Sequence, residues 1–191
     1  MANDQNSRIS LIDDESQLPE EDRHHFEAIE RSRGSVRGPF RALLNSPEVA
    51  GRAGHLGEYI RYESTLSGPE RELAILTTGR EFECAYEWSS HEPIAQEVGV
   101  RDEAISAVAE QEALDHLTDT EACIVSFGRE LFREKEVTDA TFESAHNQFG
   151  VQGVTELVAT MGYYSLIASV LNAFVIVPDQ TDFEFRTNDQ D

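Results

Sequence analysis

Residues 69–99, PERELAILTTGREFECAYEWSSHEPIAQEVG, carry the stretch on which the fold is read. Just before it, Ser67 with Glu70 three positions on has capping-box spacing, in which a hydroxyl and a carboxylate each satisfy one free amide at a helix start. Leu73, Ile75 and Leu76 follow on that helix. After Arg80 the spacing predicts a further helix holding Cys84 to Val98, with Gly99 as the residue that leaves it. Cys84, Glu87 and His91 stand at i, i+3 and i+7, so at about 100° per residue they share one narrow face. Ala85, Trp88 and Ala95 fall on an adjoining face that is expected to meet the core. Glu72 precedes Cys84 by twelve residues, and a helical hairpin brings it back against the other three. Pro93 cannot donate to the carbonyl of Ser89, so a kink or a helix end is expected there, opening a pocket.

A cluster of this kind permits specific chemistry. A histidine beside one or two carboxylates is held in one tautomer and can shuttle a proton near neutral pH. A thiol beside an imidazolium is a better nucleophile or oxidant target. Spacing alone leaves the plainer reading open. A helical histidine and a buried cysteine are commonly packing residues, and an acidic residue in a first turn also favours the helix dipole.

Outward from this stretch the pattern is helical nearly throughout. A helix is predicted from just after Pro19 to Arg33, broken by Gly34, Gly38 and Pro39. Ser46 and Pro47 open another over 47–64, with Val49, Ala53, Leu56 and Ile60 at helical spacing. A short helix follows at 102–111. Thr118 with Glu121 makes a second capping box for a helix over 119–134, and Thr138 caps one whose stripe of Phe142, Ala145 and Phe149 ends at Gly150. Val151 to Val177 is mostly apolar and must be buried, centrally or in a subunit contact. Alternation of period two is confined to Phe174 to Val177. The fold class is all-α, a single helical domain over 19–178, flanked by an acidic flexible segment over 1–18 and an acidic tail over 179–191.

Charge bounds the partners. Across 191 residues, 37 acidic side chains oppose 15 basic ones, a net charge of −22, and Lys135 is the sole lysine. Such a surface repels phosphate backbones and anionic bilayers, so neither nucleic acid nor membrane is expected as a partner. The acidic, lysine-poor balance resembles proteins of salt-accumulating halophiles, where at about 1 M salt the Debye length is roughly 3 Å and self-repulsion is screened. No run of about 18 apolar residues suggests a membrane span, and Met1 to Gln17 lacks the features of a secretory signal, so a cytoplasmic location is expected. Cys84 and Cys123 form neither a zinc-type pair nor a disulfide framework. His24 and His25 adjoin Glu20, Glu21, Asp22 and Glu27, read as a solvated helix face rather than a metal site. His55 and His146 read as packing or surface residues that could reach the pocket, and His116 as a loop residue. With no phosphate loop, nucleophile elbow or zinc spacing, no metal or cofactor is expected.

The segment Glu70 to Gly99 resembles the signature of the carboxymuconolactone decarboxylase family, which includes alkylhydroperoxidase D-type (AhpD-like) proteins. The residues that carry the likeness are Arg71-Glu72-Leu73-Ala74-Ile75-Leu76, Tyr86-Glu87-Trp88, His91 and Gly99. Glu156-Leu157-Val158, Met161-Gly162-Tyr163-Tyr164 and Leu171-Asn172 extend it, so that it spans about 40–177. The resemblance implies an AhpD-like helical bundle that assembles as a homo-oligomer, a trimer or hexamer. Glu72, Cys84 and His91 match three positions of the peroxidase branch. Glu87 stands where that branch has its peroxide-attacking cysteine, so a local dithiol cycle cannot run. The Tyr86-Glu87-Trp88 form with His91 is similar to the decarboxylase-like branch instead. That likeness implies an enzyme for a small-molecule substrate, an organic acid or lactone, with His91 transferring protons. Glu72 and Glu87 would orient or relay, Cys84 would tune the site, and Tyr86 and Trp88 would form the substrate-binding wall. Two alternatives stand beside it: a peroxiredoxin-type thiol protein using Cys84 with an external thiol, and a non-catalytic oligomer.

Overall fold

The structure is a computed structural model that describes residues 7–178 and 185. Two 3-10 turns (Glu15–Gln17 and Glu20–Asp22) lead into α1 (Arg23–Arg33), α2 (Pro39–Leu43), α3 (Pro47–Tyr62), α4 (Gly68–Glu81) and α5 (Ala85–Glu97). Then come α6 (Asp102–Ala109), α7 (Asp119–Arg129) with a π-helical turn (Glu130–Glu134), and α8 (Asp139–Phe174). No strand occurs among the described residues, so the all-α class stands.

The capping boxes at Ser67/Glu70 and Thr118/Glu121 both form. The central helix is α4, buried without interruption from Glu72 to Arg80 and packed on α5, α7 and α8. Its polar residues hid this role. Thr77 and Thr78 donate their hydroxyls to the carbonyls of Leu73 (2.8 Å) and Ala74 (2.9 Å), so burial leaves neither unpaired. Ile75 enters one apolar cluster, with α1, α2, α3 and the C-terminal half of α8. Leu73, Ala74 and Leu76 enter a second, with α5, α6, α7 and the N-terminal half of α8. The site lies where α4 and α5 meet the first cluster.

Several expectations change. Ser7 to Leu18, read as flexible, docks on the core: Ile12 and Leu18 are buried and the Ile12 amide donates to the Arg41 carbonyl (2.9 Å). The remaining residues 1–6 of that segment lie outside the described residues. So does the tail over 179–191, save Phe185, whose ring meets Trp88 edge-on (5.7 Å). Pro93 does not end α5, which runs on to Glu97. Buried anchors on both sides of the proline, Trp88, His91 and Ala95, hold the helix against the loss of one backbone bond. In α3, Val49 and Leu56 face outward, and the buried face is Ala50, Ala53, Gly54, Gly57 and Ile60. Small residues prevail because neighbouring helices approach so closely: a Cβ on Gly57 would fall on the Tyr163 hydroxyl and the Arg33 guanidinium.

The apolar segment after Gly150 is only partly enclosed. Gly150 adopts φ 65°, ψ −179° and divides α8, which a side chain would oppose. Beyond it Leu157, Met161, Ile167 and Leu171 are buried while Val151, Val158 and Leu166 are exposed. An 18-residue window of α8 reaches a mean hydropathy of 1.4, long and apolar enough by composition to cross a membrane, contrary to the sequence expectation. Its apolar side chains instead supply both core clusters, and the helix carries a buried carboxylate, Glu156. That carboxylate accepts from Tyr59 Oη (2.7 Å), Thr65 N (2.6 Å) and Gln152 Nε2 (3.0 Å), fastening α8 to the α3–α4 turn.

Candidate active site

The α4–α5 hairpin does what the spacing required. Glu72 leaves the second turn of α4 and Glu87 and His91 lie one turn apart on α5, all three buried. His91 Nδ1 lies 2.7 Å from Glu72 Oε2. Burial pushes the Glu72 carboxyl up, but the hydrogen bond and charge of His91, with Arg71 and Arg61 behind, outweigh it and leave the group below its ordinary value. Glu72 is therefore the ionised acceptor and His91 Nδ1–H the donor, which turns Nε2 toward Glu87, 3.6 Å from its Oε2. That separation is beyond a hydrogen bond. Glu87 Oε2 is buried without a partner, and burial raises its carboxyl despite the pull of His91, Arg61 and Arg33. One histidine thus sits between a carboxyl held below its ordinary pKa and one held above it.

Glu87 and His91 face a cavity of about 340 Å³, at the small end of the range for ligand sites, while Glu72 lies behind His91 and does not line it. Glu87, His91 and Tyr86 line it, and Tyr164 meets the His91 ring edge-on at 5.1 Å. Across from the acids stand Arg33 and Arg61, which donate to the hydroxyls of Tyr163 (3.2 Å) and Tyr164 (3.3 Å). The sequence reading missed both arginines. They close α1 and α3, far in sequence from the hairpin, and no periodic pattern joins them to it. Tyr163 and Tyr164 were visible only as part of the family likeness.

Two expected site residues lie elsewhere. Trp88 is fully buried in the second apolar cluster and does not line the cavity, because it is one residue, about 100°, past Glu87 on the helix. Its indole donates to Glu92 Oε2 (3.2 Å), so it stiffens α5 from behind rather than forming a wall. Cys84 is the N-cap of α5, not a residue within it. It is 1% exposed, packs in the first cluster and is not among the lining residues. Burial pushes its thiol up to about 12, despite the amides of Glu87 and Tyr86 beside it. His55 and His146 are surface residues, and His25 lies 3.7 Å from Glu48 and against the His24 ring. Among the described residues no cluster of three His, Cys, Asp or Glu side chains could hold a metal.

Comparisons place this geometry among known proteins. Residues 47–130, which contain α3 to α7 and the four residues Glu72, Cys84, Glu87 and His91, match the Carboxymuconolactone decarboxylase family. The fold is similar to that of a cysteine-to-alanine variant of the debrominase Bmp8 in complex with 2,3,4-tribromopyrrole. The TM-score is 0.70 at 14% identity, over 90% of this chain and 92% of that one. It is similar also to an alkylhydroperoxidase AhpD core, an uncharacterized peroxidase-related protein from Ralstonia eutropha JMP134. There the TM-score is 0.71 at 19% identity, over 91% and 92% of the two chains. A further peroxidase-related protein, from Silicibacter sp. TM1040, gives 0.70 at 18% identity over 91% and 92%. At such identities these structures share the fold alone. No curated protein matches the chain in sequence.

Proposed function

Because residues 47–130 of this AhpD-like fold match the carboxymuconolactone decarboxylase family, we propose that the chain is an enzyme of that kind. It acts on a small organic acid or lactone by proton transfer through His91. The observation that carries this reading is the buried Glu72–His91–Glu87 row, whose His91 and Glu87 line a cavity. In a decarboxylation the bond from carbon to the departing carboxylate breaks and CO2 leaves. Its electron pair passes into an adjacent carbonyl as an enolate. The enolate carbon then takes the Nε2 proton of a His91 imidazolium, leaving a neutral imidazole whose Nδ1–H still donates to Glu72, and Glu87, its carboxyl raised by burial, relays the next proton from solvent to Nε2. Glu72 keeps the ring oriented and balances its positive charge. Tyr86 forms part of the wall, while Trp88 and Cys84 act only through packing.

The test is turnover of a carboxylated lactone in D2O. One deuterium should enter the product at the carbon that lost CO2, and His91→Ala should remove the reaction. A rate unchanged by His91→Ala overturns the assignment.

A second reading uses Cys84 as the reacting group. It is supported by the amides of Tyr86 and Glu87 beside the sulfur and by the likeness to Bmp8, a debrominase studied as a cysteine variant. Peroxide would pass one oxygen to Sγ, giving a sulfenic acid and an alcohol, and an external thiol would then displace water to form a mixed disulfide. Burial of the thiol weighs against it. A Cys84 left unmodified by stoichiometric peroxide removes this reading, and a trapped sulfenic acid favours it.

A homo-oligomer belongs to the same proposal. The exposed Val151, Val158 and Leu166 of α8 supply an apolar face for subunit contact.

A further inference from the structure

Resting on the proton-transfer reading, we propose that Arg33 and Arg61, with Ser35, hold a carboxylate of the substrate that the reaction leaves in place. The substrate is therefore a small acid whose reacting carbon lies apart from that carboxylate. Three observations converge on this pair. The chain has a large excess of acids, and Arg41, Arg52, Arg71, Arg101 and Arg133 all pair with one. Arg33 and Arg61 are partly buried, yet among the described residues neither has a carboxylate within 4 Å; each meets a tyrosine hydroxyl instead. Glu87 acts on both guanidinium groups by charge, but no carboxylate among the described residues touches them, so a ligand can supply the contacting anion that two partly buried cations favour.

Unpartnered buried atoms mark the same place. Arg33 Nε, Ser35 Oγ and Glu87 Oε2 are all buried without a hydrogen bond, and all three residues line this cavity. Two unpaired donors and an unpaired carboxyl on one cavity describe a two-ended ligand. It offers an oxyanion to Arg33, Arg61 and Ser35 and its reacting carbon to His91 and Glu87. Guanidinium and carboxylate match in planar geometry, which makes arginine the suited partner. A phosphate dianion fits less well, since the Glu87 carboxyl lines the same space. A carboxylate clamped by guanidinium groups is stabilised as a carboxylate, so loss of CO2 from that group is opposed. Chemistry is thereby directed to the other end of the molecule.

Binding of unreactive probes tests this independently of turnover. The full chain is titrated calorimetrically with succinate and benzoate, with their uncharged amides, and with inorganic phosphate. Both carboxylates should bind about 10- to 100-fold more tightly than the amides and more tightly than phosphate. Arg33→Gln and Arg61→Gln should each remove most of that preference, and Arg61→Lys should recover part of it. Thermal melts check folding. Equal binding of carboxylate and amide by the wild type overturns the proposal even if a variant fails to fold, as does a preference that survives in both glutamine variants. Phosphate bound as tightly as carboxylate overturns the carboxylate assignment. If the preference holds while His91→Ala still turns over a carboxylated lactone, the clamp stands and the proton-transfer reading falls.

Discussion

Replacing Glu72 by Gln removes the charge that orients His91 while keeping the side chain's shape. In the native protein His91 Nδ1–H donates to Glu72 Oε2 over 2.7 Å, with both side chains buried. A hydrogen bond to a charged group contributes about 1.5–3 kcal/mol and one to a neutral amide oxygen about 0.5–1.5 kcal/mol, so Glu72→Gln should lose about 1–2 kcal/mol. With a urea slope of about 2 kcal/mol per molar, the midpoint should fall by about 0.5–1 M at pH 7. The pH dependence has a definite sign. Glu72 is held below its ordinary 4.5 in the folded state, so its contribution is full above that value and is lost as pH falls through the folded-state value. The gap between wild type and variant should therefore close on acidification. Glu121 and Glu156, held down to about 2 by their own partners, titrate alike in both proteins and cancel. Urea midpoints from pH 7 down to pH 3 at fixed salt give the answer. Equal stability at pH 7, or a gap that persists undiminished at pH 3, would refute the reasoning.

The other expectations concern neighbouring groups. Glu87 is raised in the folded state, so the native protein loses stability relative to the unfolded chain as pH rises above the ordinary 4.5. Glu87→Gln should match the wild type near pH 4 and gain on it toward neutrality in the same urea series; a variant that loses ground with rising pH contradicts this. Cys84, moved from 9.0 to about 12, should react with iodoacetamide at pH 8 about 10³-fold more slowly in the native protein than in urea, read by mass spectrometry. Prompt native-state labelling would show an accessible thiolate. Gly57→Ala should cost about 1–3 kcal/mol in thermal or urea unfolding by overpacking, and should weaken carboxylate binding because the added methyl displaces Arg33 and Tyr163. Unaltered stability and binding would remove the close approach of α3 and α8 from the account.

What the sequence made legible was local. The capping boxes at Ser67/Glu70 and Thr118/Glu121, the exit at Gly99 and the break at Gly150 follow from pairs of residues or from a single glycine, and the structure contains each of them. The meeting of Glu72, Glu87 and His91 was readable for the same reason, since a helical hairpin fixes it. Features set by distant packing were not. The burial of α4 was obscured by Glu72, Thr77, Thr78 and Arg80, whose polar groups find partners only in the folded molecule. Trp88 was placed on the cavity wall by the family likeness, whereas helix-face arithmetic set it toward the core, where it lies. Arg33 and Arg61 arrive from α1 and α3, and their convergence is a property of the whole bundle.

The central claim is that the imidazole, not the thiol, performs the reaction. Its most direct measurement is kcat for a carboxylated lactone in two variants side by side, Cys84→Ala and His91→Ala, with folding checked by thermal melts. The account predicts that Cys84→Ala stays within about tenfold of the wild type while His91→Ala falls by about 10²-fold or more. Loss of turnover in Cys84→Ala with retention in His91→Ala would contradict it.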